Sequence, residues 1–415
     1  MNDSIKLPEK LWNQDFSLLV IGKIISIFGN IILSWTLPLF ILDVSGSATL
    51  FGIVLAVPNI SLLLMSPIGG VIADRFRKQW IMFWLDISVV FIVILYMAIT
   101  SFHIEIVPVV IIKLLFINAI QAVYMPAVQA SIPVLSPSDK LVPANGIISI
   151  INSFANMSAP AIAGILYGSF GLFPILVTSV FCFTISSIID LFIRIPFKKQ
   201  ENLGSVAQII KSDIKDSIHF TIKEKPIIFK CAIVLFFFSM TIGAFLLVGI
   251  PVLITQNLNL EMHMVGVSQS VMMIGGLIGG ISAGFLGNKL TIKTFYLSII
   301  FCSLAIIPIG IVLLFDLPVI ISFVIITIAG MFTFIGVQIC NIQIMSFIQS
   351  ETPIEIVGKV LSILVVLPFL ANAIGQLLFG FLFEIFSSLS WLIIFLASFI
   401  SILVSIFSRK YFKSV

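Results

Sequence analysis

Charge is the scarcest ingredient of this chain. Aspartate, glutamate, lysine and arginine make up 10% of its 415 residues, whereas 60% are hydrophobic. A soluble domain carries about 25% charged residues, so a multi-domain soluble enzyme is excluded. A disordered chain is excluded too, because its composition would be the reverse. Cysteine is equally sparse. Cys182, Cys231, Cys302 and Cys340 are scattered through apolar stretches, without the spacing of a disulfide scaffold or a metal site. His103, His219 and His263 stand far apart in loops. No Gly-x-Ser-x-Gly, His-Glu-x-x-His or Gly-x-x-x-x-Gly-Lys-Ser/Thr string occurs. The expectation is therefore no enzyme, no in-chain ATP motor, no cofactor, no metal and no nucleic-acid partner.

What the chain does have is length of apolar run. A helix needs roughly 20 mostly apolar residues to cross the hydrocarbon of a bilayer, and mean hydropathy here is +1.24. Twelve such runs can be read, at 16–42, 50–73, 80–101, 106–133, 142–168, 172–196, 227–254, 264–287, 294–315, 318–348, 357–384 and 389–408. The first is too long and too interrupted by polar residues for a cleavable signal, so it is expected to stay in the mature chain. Sustained period-2 patterning is missing, which argues against an outer-membrane barrel. The predicted class is an all-α membrane protein embedded in the lipid bilayer.

Basic residues set the orientation. With the N-terminus inside, 21 of the 22 lysines and arginines fall in cytoplasmic segments or at helix ends, from Lys6, Lys10 and Lys23 through to Arg409, Lys410 and Lys413. The remaining one, Lys113, sits within span 4. The outer loops and their edges hold only acids: Asp43, Glu105, Glu261, Asp316 and Glu384. This is the positive-inside pattern. It predicts a multi-pass protein of a bacterial-type inner membrane with both termini cytoplasmic; the expected working state is a monomer.

Between Phe197 and Pro226 the apolar pattern stops, and charged residues alternate with apolar ones at helical spacing. Such a stretch reads as a solvated linker with an amphipathic helix on the inner leaflet. It divides the chain into a six-helix bundle at 1–196, a cytoplasmic linker at 197–226 and a second bundle at 227–415. The halves look related. A shift of 214 residues places Gly29 on Gly243, Gly52 on Gly266, Gly70 on Gly284, Asp74 on Asn288, Arg75 on Lys289 and Gln129 on Gln343. Tandem halves of six spans are the build of many secondary transporters.

The inner loop between spans 2 and 3 reads Gly69-Gly70-Val-Ile-Ala-Asp74-Arg75-Phe-Arg77-Lys78. It resembles the signature loop of the major facilitator superfamily. Gly70 would admit a neighbouring helix closely, and Asp74 would face a helix N-terminus and nearby cations as a charge-and-dipole latch. The second copy is reduced to Gly284, Asn288 and Lys289. Asp86, a turn or two inside span 3, has two readings: an ion pair with the Arg77/Lys78 end that supports the latch, or a proton-binding group.

In span 5, Ala155-Asn-Met-Ser-Ala159-Pro160-Ala-Ile-Ala163-Gly164 resembles the family's exporter motif, with alanine in place of three glycines. The alternative is an ordinary packing face of small residues. Asp43-Val-Ser45-Gly46-Ser47-Ala48, Pro126-Ala-Val-Gln129 and Asp190-Leu-Phe-Ile-Arg194-Ile-Pro196 resemble the macrolide-efflux branch, most clearly over the first 200 residues. The resemblance implies two pseudo-symmetric six-helix bundles. It also implies proton-driven export of a lipophilic small molecule by alternating access, as in a multidrug antiporter. A siderophore or lipid exporter of the same fold, or a transport-inactive membrane sensor, are the alternative functions.

In that fold spans 1, 4, 7 and 10 line the cavity, assisted by 2, 5, 8 and 11. The resemblance makes polar residues there the substrate candidates: Asn30 and Trp35, Lys113, Gln121 and Tyr124, Asn152 and Asn156, Gln269, Gln338 and Asn341, Asn372 and Gln376. For each amide, an interhelical hydrogen bond is the competing explanation. Lys113 would attract an anionic group, modulate a proton site, or snorkel to the outer headgroups.

Overall fold

The computed structural model describes residues 10–100, 105–196, 220–286, 290–352 and 357–412. Side chains are described within these ranges except at 66–68, 70–71, 73–75, 138, 142, 220, 222 and 357–366. Among the described residues there are twelve helices long and apolar enough to cross a membrane, and no strand. They are α1 (Gln14–Ser45), α2 (Ala48–Arg75), α3 (Lys78–Thr100), α4 (Ile106–Leu135), α5 (Leu141–Phe170) and α6 (Leu172–Phe192). In the second half follow α7 (Pro226–Asn257), α8 (Met262–Phe285), α9 (Ile292–Leu314), α10 (Val319–Glu351), α11 (Val357–Ile385) and α12 (Ser387–Phe412). Helices are the outcome because a segment in hydrocarbon must satisfy its own backbone groups. The linker at 197–219 lies outside the described residues.

Connections are short where the sequence supplies a turn. α1 and α2 are joined by Gly46-Ser47 alone. Gly46 takes φ +61°, and the Ser47 hydroxyl accepts the Leu50 N–H at 3.1 Å to cap α2. A single residue, Gly171 at φ +70°, separates α5 from α6, and its N–H donates to the Tyr167 carbonyl. Both glycines occupy the left-handed region that side chains avoid. Two helices are irregular. α9 breaks at Ile306, two residues before Pro308, which has no N–H to continue the ladder. α7 is wound into π-helical turns at Ser239–Gly243, Phe245–Gly249 and Leu253–Asn257.

The same helix pairs meet in each half. In the first, α1 packs on α5 through Ile31, Ala155 and Ala159, and on α6 at Gly22 and Gly29. There α2 meets α4 at Gly69, and α3 packs on α4 and α6. In the second, α7 packs on α11 and α12, α8 on α10, and α9 on α10 and α12. Small residues carry these contacts, as expected where lipid is as apolar as leucine and only close packing distinguishes protein neighbours. A Cβ at Gly29 would stand 2.9 Å from Cys182 Cβ, and one at Gly279 would stand 2.6 Å from the Ile335 carbonyl oxygen.

Contact density divides the chain into two compact units. The first comprises Met1–Leu37 and Ile60–Val206, the second Pro38–Asn59 and Ala207–Val415. The seams fall inside α1 and α2, next to Pro38 and Pro58. Within the first unit, an apolar core joins Phe16 and Val20 of α1, Met82 of α3, Val128 and Ile132 of α4, and Ile148 of α5. Asn13 Nδ2 donates to the Leu135 carbonyl at 2.8 Å, and Asp15 Oδ1 accepts the Arg194 N–H at 2.9 Å, so the start of α1 is tied to the ends of α4 and α6.

Candidate functional site

The ionisable side chains inside the first unit gather on facing helices. Lys23 of α1, Asp86 of α3 and Asp190 of α6 are 1%, 0% and 1% exposed. Ser26 Oγ donates to Asp86 Oδ1 at 3.3 Å, and Ser186 lies beside the same carboxylate while donating to the Gly22 carbonyl at 3.2 Å. Gly22 lets α6 come close: a Cβ there would stand 3.7 Å from Asp190 Oδ1. The Lys23 ammonium sits 2.9 Å from Met125 Sδ and 5.0 Å from the centre of the Tyr124 ring, within Coulombic range of both carboxylates. Asp86 Oδ2 and Asp190 Oδ2 have no hydrogen-bond partner among the described residues. The ion pairs among those residues, Lys140–Asp139, Lys225–Glu351 and His263–Glu261, lie elsewhere.

Two sequence expectations are corrected here. The charge pattern counts Lys23 among the cytoplasmic helix ends, but nine residues of α1 precede it and its side chain is buried. Asp86 does not pair with the Arg77/Lys78 end: Arg77 is exposed, and the neighbours of Asp86 are Lys23, Ser26 and Ser186. In the sequence Asp190 stands out only as part of the branch pattern Asp190-Leu-Phe-Ile-Arg194-Ile-Pro196. The missed signal is the placement of ionisable groups within the spans of three helices, each with a serine three or four residues away (Ser26 from Lys23, Ser186 from Asp190) or across from it.

Lys113 does not snorkel. It is buried, with its ammonium 3.9 Å from the centre of the Tyr96 ring and no hydrogen-bond partner among the described residues. A lysine over an aromatic face gains about 2 kcal/mol when desolvated, less than the several kcal/mol that burying an ion costs. Gln121 is half-buried with Nε2 unpartnered, and Tyr124 is buried beneath Lys23. Asn30 is half-buried and accepts the Ser34 hydroxyl, while Trp35 packs against the Ile31–Ala155–Ala159 cluster. Ala159 and Gly164 are buried and Pro160 is half-buried within a continuous α5. On that helix Asn156 is exposed and Asn152 half-buried. Asn156 Nδ2 donates to the Asn152 carbonyl and Asn145 Nδ2 to the Leu141 carbonyl, so neither bond leaves α5.

In the second unit the polar candidates cluster by α7 and α11. Asn372 is half-buried with Oδ1 unpartnered, and its amide would be 3.5 Å from a Cβ on Gly243, in the first π-helical turn of α7. Gln376 is buried and its Oε1 accepts from Asn59 Nδ2 at 3.2 Å. Gly52 of α2 faces the Gln376 carbonyl and Gly380 faces Ala48. Beyond them, Glu384 accepts the Ser47 hydroxyl at 2.5 Å and the Thr49 N–H at 2.8 Å. Gln269 is buried, Gln338 half-buried and Asn341 exposed. Gln343, matched to Gln129 by the repeat, does structural work: it accepts the Ser298 hydroxyl and donates to Thr294 Oγ1 and the Thr291 carbonyl. An apolar groove of about 430 Å³ between α9 and α10, lined by residues such as Phe301, Pro308 and Phe332, offers no polar group to orient a ligand.

Of the gating motif, the side chains of Gly70, Asp74 and Arg75 lie outside the described residues, as do Asn288 and Lys289 altogether. The adjacent Gly69 is described, and its Cβ position is filled by the Ala122 carbonyl of α4. Arg77 is exposed and Lys78 half-buried; a Cβ on Gly284 would meet open space.

Twelve apolar helices with matched pairings in two halves, holding buried ionisable and amide side chains, define a multi-pass membrane transporter rather than an enzyme. The chain belongs to the Major Facilitator Superfamily, whose family model matches residues 19–366. It is 24% identical over 286 residues to a macrolide efflux protein A of Streptococcus pyogenes, covering 67% of this chain and 68% of that one. A macrolide efflux protein A of Enterococcus faecalis is 26% identical over 234 residues, 54% of this chain and 69% of the other. Among solved structures, a point mutant of the nucleoside transporter NupG superposes with a TM-score of 0.71 at 14% identity, covering 95% of this chain and 100% of that one. A D-xylose–proton symporter gives 0.65 at 15% identity, over 95% and 97%. These superpositions establish the fold.

Proposed function

We propose that this transporter exports a lipophilic, macrolide-like small molecule in exchange for protons, by alternating access. The observation that carries the reading is the similarity to macrolide efflux proteins over two thirds of the chain. The described geometry supports it. On α5 the exposed Asn145 and Asn156 bond to carbonyls of their own helix rather than to a neighbouring one, and Asn372 and Gln121 each hold an unpartnered buried polar atom. A buried polar atom without a partner costs about 1–3 kcal/mol, a cost that a bound polar ligand offsets. In this reading Asp74, Arg75 and Arg77 gate the cytoplasmic side and the helix-5 small residues serve export.

The experiment is accumulation of a radiolabelled macrolide and of a cationic dye in cells expressing the chain, with and without a protonophore. The reading expects low accumulation that rises on protonophore addition, with the intact chain and not with a vector control. Equal accumulation in all cells overturns the drug-export assignment and leaves the superfamily fold standing.

A further inference from the structure

From the buried cluster formed by Lys23, Asp86 and Asp190, we infer that it is the coupling site of the exporter, binding and releasing one proton per cycle. The inference rests on the proton-driven export proposed above and assigns its proton to particular side chains. Two carboxylates and one ammonium, each at most 1% exposed, share one space on α1, α3 and α6, and one oxygen of each carboxylate is unpartnered. With all three ionised the cluster carries one net negative charge. One proton on either carboxylate makes it neutral, and an unpaired charge among packed helices is what the interior tolerates least. Structural ion pairs close to direct contact; here the ammonium turns to Met125 and the Tyr124 ring, and the carboxylates keep open oxygens.

The remaining groups around the cluster complete its chemistry. The Tyr124 hydroxyl of α4 lies beside Ser26 and Ser186, which themselves flank Asp86, so a chain of hydroxyls leads to the carboxylate. On α5 the titratable residue is Tyr167, near the opposite end of that helix, and on α2 they are Asp74 and Arg75, whose side chains lie outside the described residues. Further along α3 and α4, Tyr96 and Lys113 pair with each other. In the step itself a hydronium ion reaching the cluster in one access state loses a proton: one of its O–H bonds breaks as an O–H bond forms to a carboxylate oxygen, and water is left. In the next state the carboxylic O–H bond breaks and the proton bonds to a water on the other side, regenerating hydronium there and the carboxylate in the cluster.

The test uses the purified full chain in lipid vesicles, with radiolabelled erythromycin as probe. Wild type, Asp86→Asn and Asp190→Asn are compared in two modes: uptake driven by a pH gradient, and gradient-free exchange of labelled for unlabelled erythromycin. Both variants are expected to lose gradient-driven uptake to the level of protein-free vesicles and to keep exchange. Variants that retain gradient-driven uptake, or lose exchange while remaining folded, overturn the assignment. If the wild type itself exchanges without responding to the gradient, the export reading fails, and a second readout judges the site alone. The infrared carbonyl band of a protonated carboxylic acid is expected to titrate with pH in the wild type and to disappear in both variants. A band that is absent in the wild type, or unchanged by both substitutions, sinks the proposal. Should either asparagine variant misfold, Ser26→Ala keeps both carboxylates while removing the hydrogen bond to Asp86. It is expected to move the midpoint of that band, and an unmoved midpoint counts against the site.

Discussion

Replacing Gly52 by alanine offers the sharpest test of how the last turn of α1 and the first turns of α2 are held. A Cβ at Gly52 would clash with the Gln376 carbonyl oxygen and stand 3.3 Å from Gly380 Cα. The obstacle is backbone, so no side-chain rotation relieves it and α2 and α11 must separate. Overpacking of this kind costs about 1–3 kcal/mol. The contact also carries the Asn59–Gln376 bond and the Glu384 bonds to Ser47 and Thr49, all of which loosen together. If alternating access opens this contact in one state, a penalty confined to the closed state shifts the equilibrium by about 5- to 150-fold towards the open one. The assay places a reporter at Ala48→Cys, where the native side chain is 1% exposed beneath Gly380, in a chain whose four cysteines are replaced by alanine. The rate of labelling by a membrane-impermeant maleimide from outside should rise by that factor in Gly52→Ala. An unchanged rate in a folded variant would refute the argument that backbone contact at Gly52 keeps this face shut.

Other substitutions separate packing from transport. Lys113→Met removes a buried ammonium without hydrogen-bond partners and keeps its volume, so the thermal unfolding midpoint in detergent should rise; a fall would mean that the Tyr96 contact outweighs desolvation. Gln343→Leu takes the side-chain acceptor from the Ser298 hydroxyl and removes one donor each from Thr294 Oγ1 and the Thr291 carbonyl, which keep their bonds to each other at the start of α9. It should cost about 1–3 kcal/mol in stability, seen as a lower midpoint, while the transport rate per folded molecule stays near wild type. Asp74→Asn should abolish macrolide export with normal abundance in the membrane, measured by accumulation and immunoblot; full activity would remove the latch from the mechanism.

The fold was legible because hydropathy reports a cost paid by the backbone itself, whatever the packing. Predicted spans such as 106–133 and 357–384 fall within two residues of the helices Ile106–Leu135 and Val357–Ile385. The site was less so. A lysine nine residues into the first helix looks like any positive-inside lysine, and only tertiary packing against α3 and α6 shows that it is enclosed. Lys113 illustrates the same limit: its length permits a route to the headgroups, and the Tyr96 ring decides otherwise. The π-helical turns of α7 left no mark in the apolar pattern, since widening a turn changes hydrogen-bond register and not composition. Gly243 was visible, but as a repeat match rather than as part of a rewound helix.

Pro38 and Pro58 lie beside the points where α1 and α2 pass from one compact unit to the other. Each lacks the N–H that would bond the carbonyl four residues back, at Ser34 and at Val54. A rod missing one such tie bends there more cheaply than elsewhere along its length. Each helix therefore has a point of lower bending stiffness at its seam. In α1 that point falls about three turns beyond Ser26, so the hydrogen bond from Ser26 to Asp86 and the burial of Lys23 do not depend on the helix staying straight at Pro38.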